Sequence, residues 1–469
     1  MQHLTIALAI IAVALIVSVR PKHAFVVYIA VLMFYPTYLA VRVGTIDIPA
    51  SRVAATALVL KCLADARLRN KFRWCRLDTW VAVSLTVAVV VTCLTHPLMQ
   101  ALENRSGFLM NTWFAYLAAR LCFTDRSSFI TVAKWLAVLL IPLALLGVVE
   151  AMTGWQPYAE LERYCPWVSG RGAANERFGF FRAEGPFGQP ICFGMFFAML
   201  LPIVYYLRHE KPDWQIGVYI ASGLALLGAL SSVSSGPWVM AIAVVLCLVM
   251  EKHKHLVKPL LVFAVVSCIF IAIASNRPFY YVIVSYANPL GGAGWHRAKI
   301  IDCAVMFFNE WWLVGYGDSD PGWGQYLGMG HTDLTNEFIA AGVRYGILGV
   351  ITFCCVLTCA LRRLVLLHNS ATDFALRSLF WALGSTIVAL IITFMSVSMF
   401  GQIVPLFYCL LGIIGSSPSF LEPNLLRLRP MKTAPVSETS AAHTAKGSTW
   451  HNRQTNVAYQ SVRPQTWRL

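Results

Sequence analysis

The chain has 469 residues, of which 58% are hydrophobic and 13% charged, with a mean hydropathy of +0.64. Soluble domains run near a quarter charged, so this composition excludes a soluble globular enzyme and implies a polytopic membrane protein. The formal net charge of +15 falls in the breaks between apolar runs with no nucleic-acid-binding module, so it encodes membrane orientation rather than nucleic-acid affinity.

Apolar runs lie near 3–19, 24–41, 48–64, 79–96, 107–123, 130–152, 188–207, 214–231, 237–250, 257–275, 336–361, 374–394 and 402–420. A helix needs about 20 residues to cross roughly 30 Å of hydrocarbon. Barrel strands would be about half as long and alternating. The predicted fold class is therefore all-α, a polytopic transmembrane bundle of about 12–13 helices. Residues 4–19 lack a basic leader and a small-residue cleavage site, so they are expected to stay as the first helix.

The break from Arg67 to Arg76 is strongly basic and should face the cytoplasm. Counting from it, the basic breaks at Arg208–Lys211, Glu251–His255 and Arg362–Arg363 fall on the same side. The count exports two polar loops, near 153–187 and 276–335, the second partly helical, and puts Ser231–Gly236 at that outer face. Residues 1–420 form the expected membrane domain. Residues 421–469, rich in Ser, Thr, Pro, Lys and Arg, read as a disordered basic cytoplasmic tail. The thirteen cysteines show no metal-ligand spacing. No internal repeat of the kind that builds inverted-repeat transporters is evident.

Chemistry is sought in the two loops. The first ends in Arg182-Ala-Glu-Gly185-Pro-Phe-Gly-Gln-Pro190, which puts Arg182 near the membrane surface as a phosphate ligand or as an interfacial anchor paired with Glu184. In the second, Trp295–Phe308 reads as an amphipathic helix with Trp295, Ile300, Ala304 and Phe308 apolar. It presents Arg297 to a lipid-linked headgroup, or merely snorkels its basic residues. Asp318 and Asp320 lie in a Gly- and Pro-rich turn, where solvated turn aspartates are commoner than cation ligands. His331 has the chemistry of a general base, with Asp333 available to orient it, whereas Asp333 and Thr335 also suit a helix cap.

Taken in order, these stretches resemble the O-antigen ligase and polysaccharide polymerase superfamily of bacterial inner-membrane proteins. The resemblance rests on Arg182-x-x-Gly185 with Pro190, on Arg297 followed by Trp312-Leu-Val-Gly-Tyr-Gly317, and on His331–Asn336 followed by Gly346-Ile-Leu-Gly349. It implies an inverting, metal-independent glycan transfer at the outer face, needing no cofactor, from a polyprenyl-diphosphate-linked donor to a glycan, lipid or protein hydroxyl. Other envelope polysaccharide assembly proteins are implied as neighbours. On that reading Arg182 and Arg297 hold the diphosphate and His331 is the base. Asp333, Asn336, Trp295 and Trp312 are supporting candidates, the tryptophans by packing on sugar faces or as an interfacial belt. Two departures stand out. Ser234-Ser235-Gly236 occupies a place where relatives often carry Ser-Arg-Gly, and the span from His331 to Gly346 is longer than in many relatives. A lipid-linked oligosaccharide flippase and a non-catalytic assembly component are the competing expectations.

Overall fold

The structure is a computed structural model that describes residues 1–44, 46–165, 176–210, 212–276, 278–286 and 294–421. It is 78% helical, which is the all-α class expected. Among the described residues seven helices are long and apolar enough to cross a membrane, with four shorter apolar helices beside them. This is a multi-pass membrane bundle. The expected tail lies outside the described residues, as does part of each polar loop.

The chain opens with α1 (Gln2–Ser18) and α2 (Pro21–Phe34), then a hairpin of β1 (Ala40–Val43) and β2 (Ile46–Pro49). There follow α3 (Ala50–Ala64), α4 (Ala66–Lys71), α5 (Arg76–Thr95), α6 (Leu98–Asn111), α7 (Trp113–Cys122) and α8 (Arg126–Thr153). After a small hairpin of β3 (Glu176–Arg177) and β4 (Phe180–Phe181) come α9 (Pro190–Tyr206), α10 (Gln215–Ser231), α11 (Ser235–Met250) and α12 (Val257–Ala274). The second polar interval holds α13 (Phe279–Tyr286), α14 (Gly294–Met306), α15 (Phe308–Trp311) and α16 (Gly324–Leu327). The long α17 (Glu337–Ser370), α18 (Phe374–Phe394) and α19 (Ile403–Ser416) complete the bundle.

Local chemistry sets the boundaries. Asp125, Asn336 and Asp373 cap α8, α17 and α18 by accepting from backbone amides of the first turn. Pro21 and Pro190 open their helices, where a missing N–H costs nothing. Three apolar runs depart from the expected continuous helices, the third being the run near 336–361, which is kinked at Tyr345–Gly346. The run near 24–41 stops at Phe34, and Ala40–Val43 pairs antiparallel with Ile46–Pro49 instead. The run near 107–123 breaks at Thr112, which separates α6 from α7.

The helix α9 is apolar on every side and buried along nearly its whole length, as a core helix must be. By contrast α12 has no buried residue, so its apolar surface suits a lipid-facing position. One buried ion pair ties the bundle together. Arg120 on α7 donates to both oxygens of Asp78 on α5, at 2.7 and 2.9 Å, and the Tyr116 hydroxyl donates to Asp78 at 2.5 Å. Removing one partner of such a pair costs about 3–5 kcal/mol, because the other is left charged and alone. Asp78 sits in the first turn of α5, so the pair clamps helix ends rather than marking a path through helix midpoints.

The two glycine-containing patterns Trp312–Gly317 and Gly346–Gly349 are one device. At Tyr345–Gly346 the backbone of α17 leaves helical geometry, and Gly346 adopts φ +69. That break frees backbone groups which the 312–317 strip takes up. Tyr316 N–H donates to Val343 O at 2.7 Å, Gly317 N–H to Arg344 O at 2.9 Å, and Ile347 N–H to Trp312 O at 2.7 Å. A side chain at Gly346 would put its Cβ 2.5 Å from Leu313 O, so the sequence needs glycine here both for its φ and for the contact.

Candidate functional site

The turn that carries Arg182 is fastened from four directions. The buried Glu150 carboxylate, near the end of α8, accepts from Glu184 N–H at 2.8 Å and Gly185 N–H at 2.9 Å. Ala183 N–H donates to Ser231 O at 3.0 Å, Gln156 Nε2 to Arg182 O at 2.9 Å, and Gln402 Nε2 to Pro186 O at 2.9 Å. Every one of these contacts uses backbone of residues 182–186. The backbone at Arg182 is thereby fixed without using its guanidinium donors.

Arg182 Nη2 reaches Ser234 Oγ at 2.7 Å, and Arg297 Nη2, from α14, reaches Ser235 Oγ at 3.1 Å. Two arginines from separate polar segments therefore converge on adjacent serines at the start of α11, a helix of 16 residues. The amide ends of a helix carry positive potential of their own. Neither arginine pairs with a carboxylate among the described residues, and Arg182 Nε is buried without a partner. Burial first, and then the nearby Arg177 guanidinium, push Arg182 down to about 10 and Arg297 below its ordinary value. Both still carry their protons near neutral pH. The shift reflects mainly the burial of each charge and secondarily repulsion from Arg177, and a bound anion would offset both.

Alongside lies an apolar groove of about 450 Å³, lined by Met152, Phe178, Phe180, Leu230, Val233 and Trp238 among others. It contains Ser231 and Val233, immediately before Ser234. Cations and hydrocarbon surface thus meet within a few residues.

The remaining candidates fall into different places. His331 and Asp333 are exposed, and His331 makes no side-chain hydrogen bond to the described residues. Asp333 uses its backbone carbonyl, which lies 3.1 Å from Nε2 of the buried His296. A carbonyl can only accept, so this nitrogen holds the His296 proton, and the bond fastens α14 to the loop before α17. Asn336 is committed to structure, capping α17 and donating to Met395 O at 2.9 Å. Trp295 and Trp312 are exposed at 52% and 42%, so their ring faces are available for packing. Ile300 and Ala304 of the expected apolar face of α14 are buried, together with His296 and Cys303, whereas Trp295 and Phe308 are exposed.

The two turn aspartates are occupied. Asp318 is ion-paired with Arg105, and Asp320 accepts from Gly322 N–H at 2.8 Å and Thr332 N–H at 3.0 Å. These bonds from Thr332 and Gly322 hold the Asp320 carboxyl below its ordinary range. Sequence reasoning missed Arg177, His296 and the serine pair. In the sequence Ser234-Ser235-Gly236 shows only a place where a cation is lacking.

Comparison with known protein families and with curated proteins finds no match to this chain.

Proposed function

We propose that the protein is a membrane glycosyltransferase of the O-antigen ligase or polysaccharide polymerase type. It moves a glycan from a polyprenyl diphosphate to an acceptor hydroxyl at the outer face of a bacterial inner membrane. The observation that carries this reading is the convergence of Arg182 and Arg297 on Ser234 and Ser235, beside an apolar groove. A polyprenyl diphosphate has the two matching halves: an anion for the guanidinium forks and the helix end, and hydrocarbon for the groove.

In the transfer, the acceptor oxygen bonds to the anomeric carbon as the bond from that carbon to the diphosphate oxygen breaks. The bonding pair leaves with the diphosphate, and the acceptor proton passes to a base. The two arginines lie where the leaving group gathers charge, and they supply positive potential without a metal. Attack opposite the leaving group inverts the anomeric centre. His331, exposed and uncommitted, takes the role of base. His296 acts as a positioning residue through Asp333.

A flippase would bind the same donor, so transfer itself is the discriminator. Purified protein given a polyprenyl-diphosphate-linked oligosaccharide and a glycan acceptor should form the glycosylated product. Arg182→Ala and Arg297→Ala should each lower the rate by about 10²–10³-fold, the loss seen when one charge-stabilising donor is removed. His331→Ala should lower it by about 10²-fold or more, with donor binding intact. Wild-type rates in all three variants, at equal membrane levels, would show that the assignment is wrong.

A further inference from the structure

A second and larger cavity, of about 720 Å³, lies between α3, α5 and α6 on one side and α17 and α19 on the other. Its size is that of a small-molecule site. Its chemistry differs from that of the arginine cluster. Three arginines, Arg52, Arg105 and Arg344, face four carboxylates, Asp47, Glu103, Asp318 and Glu337, so charge is nearly balanced.

The balance is finely divided. Arg105 is neutralised by Asp318 and also donates to the Tyr345 hydroxyl at 3.0 Å. Arg52 is held by neutral acceptors, Asp47 O at 2.7 Å and Asn111 Oδ1 at 3.1 Å. Arg344 makes no hydrogen bond or ion pair to the described residues through its side chain. Glu337 accepts from Met399 N–H at 2.6 Å. Glu337 and Arg344 are seven residues apart on α17, hence two turns along one face of the helix. The cavity therefore offers fixed acceptors and an uncommitted five-donor fork together. A hydroxyl both donates and accepts, so a polyol matches this mixture, while the carboxylates disfavour an anionic ligand.

One segment forms a wall shared with the arginine site. In the 395–402 connection, Met399 bonds Glu337 and Gln402 bonds Pro186, in the turn that carries Arg182. Just before them in the same connection, Val397 packs against Gly236, where an added Cβ would lie 2.5 Å from its Cγ2. The cavity and the cation cluster are thus neighbours across one short stretch of chain.

We propose that this cavity binds a neutral saccharide, with Glu337 and Arg344 as its recognising pair, and that the saccharide is the transfer acceptor. The first part stands on the cavity alone. The acceptor role rests on the transferase reading above.

The test uses the full chain in lipid nanodiscs and saturation-transfer NMR. The neutral probes are maltotetraose, cellotetraose and mannotetraose, and the anionic probe is glycerol 1-phosphate. At least one tetrasaccharide should saturate with wild type. Glu337→Gln and Arg344→Ala should weaken that binding at least ~5-fold, and Arg297→Ala should leave it unchanged. Tyr408→Phe, which removes a single hydroxyl from the cavity wall, should weaken it ~2-fold and guards against misfolding in the charge variants. Saturation of glycerol 1-phosphate alone, saturation of no probe, or saccharide binding indifferent to both α17 variants would each overturn the proposal. Transfer assays separate the two readings. Saccharide binding without transfer supports the cavity and sinks the transferase, whereas transfer with an acceptor KM unmoved by Glu337→Gln and Arg344→Ala sinks the cavity alone.

Discussion

The arginine cluster and the large cavity are built from similar residues to opposite effect. Arg182 and Arg297 point at serines and a helix N-terminus, with no carboxylate partner among the described residues, so their positive charge is left uncompensated. In the cavity four carboxylates stand against three arginines, and Arg105 is already matched by Asp318. Arginine alone therefore says little about what a site binds. The partner that each guanidinium has been given decides whether it recognises an anion or a hydroxyl.

Removing single residues from each region should break or sharpen this distinction. The largest effect is expected at the cluster, where losing Arg182 or Arg297 should cost about 10²–10³-fold in transfer. Arg344→Ala should leave donor binding intact. Ser234→Ala comes next. It removes the hydroxyl that orients Arg182 but leaves the charge, so donor affinity should fall about 5–10-fold, the worth of one ordinary hydrogen bond of about 1 kcal/mol. A titration of transfer rate against donor concentration reads this directly, and an unchanged donor KM would mean that Ser234 orients nothing.

The smallest functional effect is expected from a change that touches neither site. Gly346→Ala strains a left-handed residue and crowds Leu313 O, at a cost of about 1–3 kcal/mol. It should lower the melting temperature of the purified protein. Because Arg344 and Tyr345 adjoin the kink, it should also raise acceptor KM more than donor KM. Equal shifts in both would indicate general loosening.

Much of the bundle was legible because hydrophobic length is a one-dimensional signal. Each apolar run holds a helix in the structure, and Asn336 begins the long α17 as a cap should. The exceptions are local. Ala40–Val43 extends the apolar run after Phe34 but is recruited into a hairpin, and Thr112 breaks a run that hydropathy treats as continuous. Arg182 and Arg297 could be singled out because each stands in a polar segment beside a spanning run. What they converge on could not, since residues 182, 234, 235 and 297 meet only through the fold. As a sequence pattern Ser234-Ser235 shows only that a cation is lacking there. Its hydroxyls instead receive cations brought from two other segments. A helix N-terminus carrying two serines, opposite two loops that each supply an arginine, was the available signal. The large cavity was beyond reach, because it draws its lining from elements spread between Thr37 and Tyr408.

The central claim is that the cluster at the start of α11 binds a diphosphate. It is tested most directly by the affinity of the nanodisc-embedded protein for farnesyl diphosphate, a short prenyl diphosphate without a glycan. Wild type and Arg344→Ala should bind it alike, and Arg182→Ala and Arg297→Ala should each weaken it by about 10-fold or more, as expected for removing a charge-assisted contact. Equal affinity in wild type and both cluster variants, or a loss confined to Arg344→Ala, would contradict the account.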